Sequence, residues 1–346
     1  MRRLPVFFVL DCSESMIGDN INNVEHGLQT IVGALRRDPH ALETVHVSVI
    51  AFAGIAKTIV PLIELDSFYP PKLPIGGGTS LGAALRLLMS DLDTVVVKTT
   101  ADRKGDWKPV VYLFTDGKPT DEVESAISQW NGRFTHRATL IAVAFGRYAD
   151  LAVLKRLTET VMLFEQSQEG DFKKFINWIT ASILSQSRSI GEAADASTLP
   201  AIDEKVLTLV KGPSRATVDN DCVTLVGRCQ RTRKPYLMKY DRATKDIGTR
   251  DFSFQANYYE IAGCYPIDEE YFAWSDPTAS GLTVSTEELM GGAGCPHCGN
   301  ASAFARCGCG KLLCVNGPGE AICPWCERRV HLGPGEGSFE VGRGRG

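Results

Sequence analysis

The sequence predicts an α/β first half, a doubly wound, mostly parallel sheet with one antiparallel edge strand, followed by a small β-rich, cysteine-rich module. Three observations carry this expectation. Short, nearly continuous apolar runs alternate with helical patterns over residues 1–188. Beyond about residue 205 the pattern changes to short aromatic and β-branched segments between turn residues. Seven of the 11 cysteines then crowd into Cys295–Cys326.

Val6–Leu10, Val45–Phe52, Val110–Phe114 and Thr139–Phe145 are the apolar runs, and they read as strands covered on both faces. Leu81, Ala84, Leu85, Leu88 and Leu92 recur at helical spacing, as do Phe172, Phe175, Ile176, Ile179 and Ile183. Lys57–Pro61 follows Val45–Phe52 too closely for a helix between them, which makes it the antiparallel edge strand. Alternation of this kind is Rossmann-like. Residues 189–204 have no apolar period and read as a linker. The β-rich domain spans 205–331, with strands expected at Cys222–Val226, Tyr236–Tyr240, Asp251–Phe254 and Tyr258–Ile261. Its cysteine-rich end covers about 290–331, and the Gly- and Arg-rich stretch 332–346 reads as a flexible tail.

Composition narrows the function classes. A formal net charge of −4 gives no electrostatic reason to expect nucleic acid. No apolar run approaches the roughly 20 residues a membrane helix needs. Met1–Leu10 leads directly into Asp11 with no small-residue cleavage site, so a buried first strand explains it better than a leader, and the expected location is cytoplasmic.

Three loops carry candidate chemistry. Asp11-Cys12-Ser13-Glu14-Ser15 follows the first strand, Gly76-Gly77-Gly78-Thr79-Ser80 precedes the helix starting near Leu81, and Thr115-Asp116-Gly117 follows Val110–Phe114. Loops at the carboxyl ends of strands meet above the topological switch point of an open α/β sheet. Asp11, Ser13, Ser15, Thr79 and Asp116 would therefore converge. Their hydroxyl and carboxylate oxygens suit a hard cation, Mg²⁺, Mn²⁺ or Ca²⁺. Alternation along Asp-x-Ser-x-Ser turns Cys12 and Glu14 away, so Cys12 reads as a packed core cysteine and not a nucleophile. The glycines before Thr79 would let backbone approach the ion closely.

At these residues, over about 4–186, the sequence resembles the von Willebrand A superfamily and its metal-ion-dependent adhesion site, most of all the TerY branch of bacterial tellurite-resistance proteins. The resemblance implies direct ligation by Ser13, Ser15 and Thr79, with Asp11 and Asp116 acting mainly through water. It also implies that a partner protein's Asp or Glu carboxylate fills the open coordination position. A role in tellurium resistance or a related stress response follows, with a protein kinase and a PP2C-type protein phosphatase as candidate partners.

Catalysis is not expected. The alternative is a Mg²⁺-dependent phosphohydrolase built on the same loops, but the second Asp it needs two residues after Asp11 is Ser13. Gly76–Ser80 lacks the Lys-Ser/Thr ending of a phosphate-binding loop. His26, His40, His46 and His136 sit in ordinary contexts.

Cys295-Pro296-His297-Cys298 and Cys323-Pro324-Trp325-Cys326 have the spacing that lets two thiolates reach one tetrahedral Zn²⁺. Cys295, Cys298, Cys323 and Cys326 make the simplest zinc-ribbon-like set. Cys309 and Cys314 are the first substitutes, or serve a second ion with Cys307 or His331. Residues 206–331 resemble the metal-binding C-terminal domain attached to some TerY-like chains, through Arg233–Tyr240, Asp268–Phe272 and the Cys-Pro-x-Cys pairs. A small β unit with little core needs a staple, so the zinc is expected to be structural.

Overall fold

The computed structural model describes residues 2–116, 118–145, 149–164, 171–189, 207–209, 221–249, 252–276, 281–333 and 337–344. The chain divides into two units. Met1–Cys12, Asp19–Pro74 and Thr79–Thr217 form the first; Ser13–Gly18, Ile75–Gly78 and Val218–Gly346 form the second.

The first unit begins with β1 (Leu4–Asp11), which is buried along its whole length and so shows no polar alternation. Helix α1 (Asp19–Leu35) buries Ile21, Val24, Leu28, Ile31, Val32 and Leu35, one face at helical spacing. The short α2 (Pro39–Thr44) starts on proline and is capped by Asp38, whose carboxylate accepts from the Ala41 amide at 3.0 Å. Then come β2 (Val45–Phe52), β3 (Ala56–Glu64), α3 (Leu81–Thr94), β4 (Val110–Thr115), α4 (Glu124–Arg133), β5 (Thr139–Phe145), α5 (Leu151–Leu157), β6 (Val161–Phe164), α6 (Asp171–Ser189) and β7 (Leu207–Leu209).

The sheet order is β3-β2-β1-β4-β5-β6-β7. β2, β1, β4, β5 and β6 are parallel; β3 is antiparallel to β2, as the short connection requires, and β7 is a further antiparallel strand on β6. The chain winds from β1 to β2 on one side and returns to β4 on the other, so the switch point lies between β1 and β4. One face of the sheet packs Phe7, Val9, Phe52 and Leu113 against Leu85 and Leu88 of α3 and Trp130 of α4. The other carries an aromatic chain: Phe8 stacks on Tyr112, and Phe114 and Phe145 meet Phe175 of α6 edge-on. No helix among the described residues is long and apolar enough to cross a membrane.

In the second unit β8 (Cys222–Arg228), β9 (Pro235–Thr249) and β10 (Phe252–Pro266) form an antiparallel meander, with a bulge between Ile261 and Gly263. Next are α7 (Glu270–Trp274), β11 (Thr283–Ser285), β12 (Leu289–Met290), β13 (Ser302–Arg306), β14 (Leu312–Val315), β15 (Gly319–Ile322), β16 (Arg329–Leu332) and β17 (Glu340–Gly342). The main sheet runs β12-β10-β9-β8-β14-β13. β14 lies parallel to β8, so the cysteine-rich segment completes the sheet of the preceding residues and is not an appendage to it.

Two boundaries differ from the expected ones. Residues 207–209, assigned to the β-rich domain from 205 onward, form β7 of the first sheet, paired antiparallel with β6. Residues 340–342, expected in a flexible tail, pair with β11 because Val341 is buried in the second unit's core and Phe339 packs beside it. Most of the expected linker, 190–204, lies outside the described residues, as do 334–336 and 345–346 of the tail.

Candidate cation site and two cysteine centres

Three of the five expected cation ligands belong to the first unit, Asp11 and Asp116 at the carboxyl ends of the neighbouring strands β1 and β4 and Thr79 just before α3. Leu10 pairs with Phe114, which sets Asp11 level with Thr115. The Thr115 hydroxyl donates to Asp11 Oδ2 at 2.6 Å and fixes that carboxylate. Asp116 follows, and its backbone carbonyl accepts from the Asp150 amide at 2.8 Å. Thr79 precedes α3 and is tied to the segment after β4 by a reciprocal pair. Its amide donates to Thr120 Oγ1 at 2.8 Å, and the Thr120 amide donates back to the Thr79 carbonyl at 2.9 Å. The next residue, Asp121, accepts from the Gly82 and Ala83 amides at 3.0 and 2.9 Å, supplying acceptors to the first turn of α3. Asp11, Thr79 and Asp116 are all buried.

Ser13 and Ser15 belong to the second unit, and their hydroxyl oxygens lie 3.1 Å apart. They meet by a different geometry from the extended alternation expected. Ser13 is extended, forms a parallel bridge with Gly76, and opens a 3-10 turn, Glu14–Met16, that brings Ser15 round to the same side. Glu14 points away, fully buried, and accepts from the Tyr271 hydroxyl. Gly76 has a structural reason beyond the expected one: a Cβ there would sit 2.6 Å from the Trp274 carbonyl oxygen. Gly78 holds φ +97°, the left-handed region. Gly117 lies outside the described residues. Burial, then Asp11, pushes the Cys12 thiol well above the ordinary range, which keeps it protonated and inert.

The cysteines form two groups. Cys229, Cys295, Cys298 and Cys314 have their sulfurs within 4.8 Å of one another, and so do Cys307, Cys309, Cys323 and Cys326. Cys298–Cys314, Cys307–Cys326 and Cys309–Cys323 sulfur separations are 3.6, 3.7 and 3.8 Å. A tetrahedral zinc with Zn–S near 2.3 Å has S···S edges of about 3.8 Å. Both groups fit that ion. Amides already point at the sulfurs: Gln230 donates to Cys314 at 3.2 Å and Thr232 to Cys229 at 3.3 Å. Although burial works to raise it, hydrogen bonding from Thr232 draws the Cys229 thiol down to about 6.

The turns that present these thiols share one form. In Cys229–Arg233, Cys295–Gly299 and Cys323–Glu327 the fifth amide donates to the cysteine carbonyl at 2.9, 3.0 and 2.9 Å. The fifth residue has positive φ each time, 62° at Arg233, 75° at Gly299 and 61° at Glu327. Arg233 and Glu327 are the only non-glycine residues in that region among the described residues, so the turn is held against local preference.

A von Willebrand factor type A domain model matches residues 6–178, half of the chain. The chain belongs to the von Willebrand factor type A family. The model of the TerY-C metal binding domain matches residues 219–346. Among solved structures, the chain is similar to a von Willebrand factor type A protein from Catenulispora acidiphila, at 13% identity over 77% of this chain and 58% of that one, TM-score 0.42. It is similar to proximal thread matrix protein 1 from the mussel byssus, at 16% identity over 53% of this chain and 48% of that one, TM-score 0.40. The ArnB paralog VWA2 from Sulfolobus acidocaldarius matches at 11% identity over 99% of this chain and 66% of that one, TM-score 0.39. This chain thus spans about half the length of the mussel protein it matches. No curated protein matches it significantly.

Within this von Willebrand A protein the four cysteines of the simplest ribbon set are not brought together. Cys295 and Cys298 stand in one centre, Cys323 and Cys326 in the other. Cys309 and Cys307 complete the second centre, Cys314 the first, and His331 belongs to neither. Cys229 is the ligand candidate that spacing does not reveal. It lies 66 residues before its nearest partner, and its only local mark is the turn-rich Gln230–Lys234 that follows.

Proposed function

We propose that this chain is a non-catalytic protein–protein interaction protein, docking a partner through a divalent cation held by Asp11, Ser13, Ser15, Thr79 and Asp116. The donor chemistry carries the reading: two serine hydroxyls 3.1 Å apart, a threonine, and two aspartates of which one is oriented by Thr115. Hydroxyl and carboxylate oxygens of this kind suit Mg²⁺, Mn²⁺ or Ca²⁺. When bound, such an ion supplies a positive centre for a charged oxygen from outside the chain. Thr115 holds Asp11 in place for it, and the Thr79–Thr120 pair holds the threonine.

In this reading Cys229, Cys295, Cys298 and Cys314 hold one structural Zn²⁺ and Cys307, Cys309, Cys323 and Cys326 a second. The finer role, a cytoplasmic scaffold in tellurium resistance or a related stress response beside a protein kinase and a PP2C-type phosphatase, rests on the TerY resemblance. Affinity capture from native cells, with and without EDTA, tests the function. Partners should be lost in chelator and restored by Mg²⁺ or Mn²⁺, and a kinase or phosphatase should be among them. Capture indifferent to chelator would remove the reading.

A further inference from the structure

The two loops that the second unit takes from the first half of the chain, Ser13–Gly18 and Ile75–Gly78, have no sheet ladder of their own beyond the single Ser13–Gly76 bridge. Short segments rich in glycine and a lone 3-10 turn retain many alternative conformations unless something outside them removes the alternatives. Side chains of the second unit remove them. Lys239 of β9 donates its ammonium to the Ser15 carbonyl at 2.8 Å, and its side chain is only 13% exposed. Tyr271 of α7 donates to the fully buried Glu14 carboxylate, which lies between Ser13 and Ser15 in sequence. Ser275 accepts from the Gly77 amide at 2.8 Å and donates to the Tyr271 carbonyl at 2.6 Å, and the Asp276 amide donates to the Gly77 carbonyl at 2.9 Å. Ile17 and Ile75 pack with Leu237, Ile267 and Tyr271 in one apolar cluster.

We propose that Lys239, Tyr271 and Ser275 are positioning residues that hold the Ser13–Ser15 turn in its cation-binding form, so that cation affinity depends on side chains that do not themselves ligate the ion. The proposal rests on the cation-site reading above. None of the three offers an oxygen or nitrogen to the ion; they act through the backbone at Ser15 and Gly77 and through the Glu14 carboxylate. Removing the Tyr271 hydroxyl leaves that buried carboxylate without one of its donors, and the turn is the element free to move to regain water. Removing the Lys239 ammonium releases the carbonyl of Ser15 itself, and a charged hydrogen bond is among the stronger ones available. A preorganised site binds more tightly than one that must be ordered on binding.

The test is Mn²⁺ titration of the full-length, zinc-loaded chain, read as free Mn²⁺ by electron paramagnetic resonance, with zinc content and thermal unfolding measured on each variant. Wild type should take up Mn²⁺ at a site that Asp11→Ala abolishes. Tyr271→Phe and Lys239→Met should each weaken that site by about tenfold, the size of one lost hydrogen bond to a charged group, with zinc content and unfolding temperature unchanged. Lys239→Arg should recover most of the affinity, which a merely structural role would not require. Should Tyr271→Phe lose zinc, Ser275→Ala and Lys239→Met decide the matter. Affinities within about twofold of wild type in the well-folded variants would overturn the proposal while leaving the cation site standing. Wild-type Mn²⁺ uptake that Asp11→Ala does not change would overturn the cation-site reading and this proposal with it.

Discussion

Cys298 and Cys314 hold their sulfurs 3.6 Å apart, while Cys307, which lies between them in sequence, is 3.7 Å from Cys326. The two centres therefore interleave along the chain. β14 is the hinge of this arrangement. Cys314 and Leu312 face the core shared with Cys229 and Cys295, and Leu313 faces the core shared with Cys307 and Cys323, as strand alternation demands. The first centre draws Cys229 from just after β8 and Cys314 from β14 itself, whereas the second lies within Cys307–Cys326, with its cysteines on either side of β14.

The zinc content should be two equivalents per chain by elemental analysis. Cys229→Ser should release one and leave the Cys307, Cys309, Cys323 and Cys326 centre occupied; Cys326→Ser should do the converse. Structural zinc is worth on the order of 10 kcal/mol or more in small domains, so Cys298→Ser, in the same centre as Cys229, should release the same equivalent and lower the unfolding temperature of the second unit. A Cys229→Ser protein that keeps both equivalents would show that Cys229 is not a ligand.

The parallel strands are legible in the sequence because burial on both faces writes an unbroken apolar run, as in Val45–Phe52. Strand β6 is only Val161–Phe164, too short to declare itself, and β7 is recognised only through its pairing with β6. Helix α1 does carry the period at Ile21, Val24, Leu28 and Ile31, behind an Asn-rich first turn that obscures it. In the candidate site, the places of Asp11 and Asp116 are readable because strand ends are where an open sheet presents side chains, and that of Thr79 because the helical period of α3 opens just after it. The Ser13–Ser15 geometry is not, since a 3-10 turn and an extended turn share the same text. Pairing of the cysteines fails for a plainer reason. Neighbours in sequence share a turn, and it is the fold that decides which turns share an ion.

Asp121 should prove a stability residue of the first unit. Its carboxylate serves the Gly82 and Ala83 amides in the first turn of α3, immediately after Thr79. Asp121→Ala should cost about 1–2 kcal/mol, the range for losing a helix N-terminal acceptor. Gly82→Ala should cost about 1–3 kcal/mol by overpacking, because the added Cβ would lie 2.2 Å from the Glu122 carbonyl oxygen. Thermal unfolding of the first unit measures both. An unchanged melting temperature in Asp121→Ala would mean that water replaces the carboxylate there.

Purified protein should not turn over generic phosphate esters above background in Mg²⁺. The proton-transferring Asp that a haloacid-dehalogenase-type phosphatase carries two residues after its nucleophile is Ser13 here, and Ser13 faces the Ser15 hydroxyl. Turnover that disappears in Asp11→Asn would establish the phosphohydrolase reading in place of the adhesive one.

Partner binding should depend on the cation and on two residues that the fold does not need. The hydroxyls of Ser13, Ser15 and Thr79 are neutral, so a divalent ion held by them keeps most of its charge. In the proposed site Asp11 and Asp116 would act through water and compensate only in part, and Asp11 also accepts from Thr115. A partner's Asp or Glu would bring the missing charged oxygen, and in a partly desolvated interface that bond gains strength over its value in water. Thr79→Ala and Asp116→Ala should therefore each weaken partner binding by at least about tenfold, on the scale of lost metal-site groups, without unfolding the domain. Thr79 and Asp116 stand in loops whose backbone bonds to Thr120 and Asp150 survive the substitutions. Replacing the partner's single contacting carboxylate with its amide should match the effect, and combining it with Thr79→Ala should add little further loss. Calorimetry in Mg²⁺ and in EDTA measures all of these. Binding that persists in chelator and in both variants would place the docking surface elsewhere on the chain.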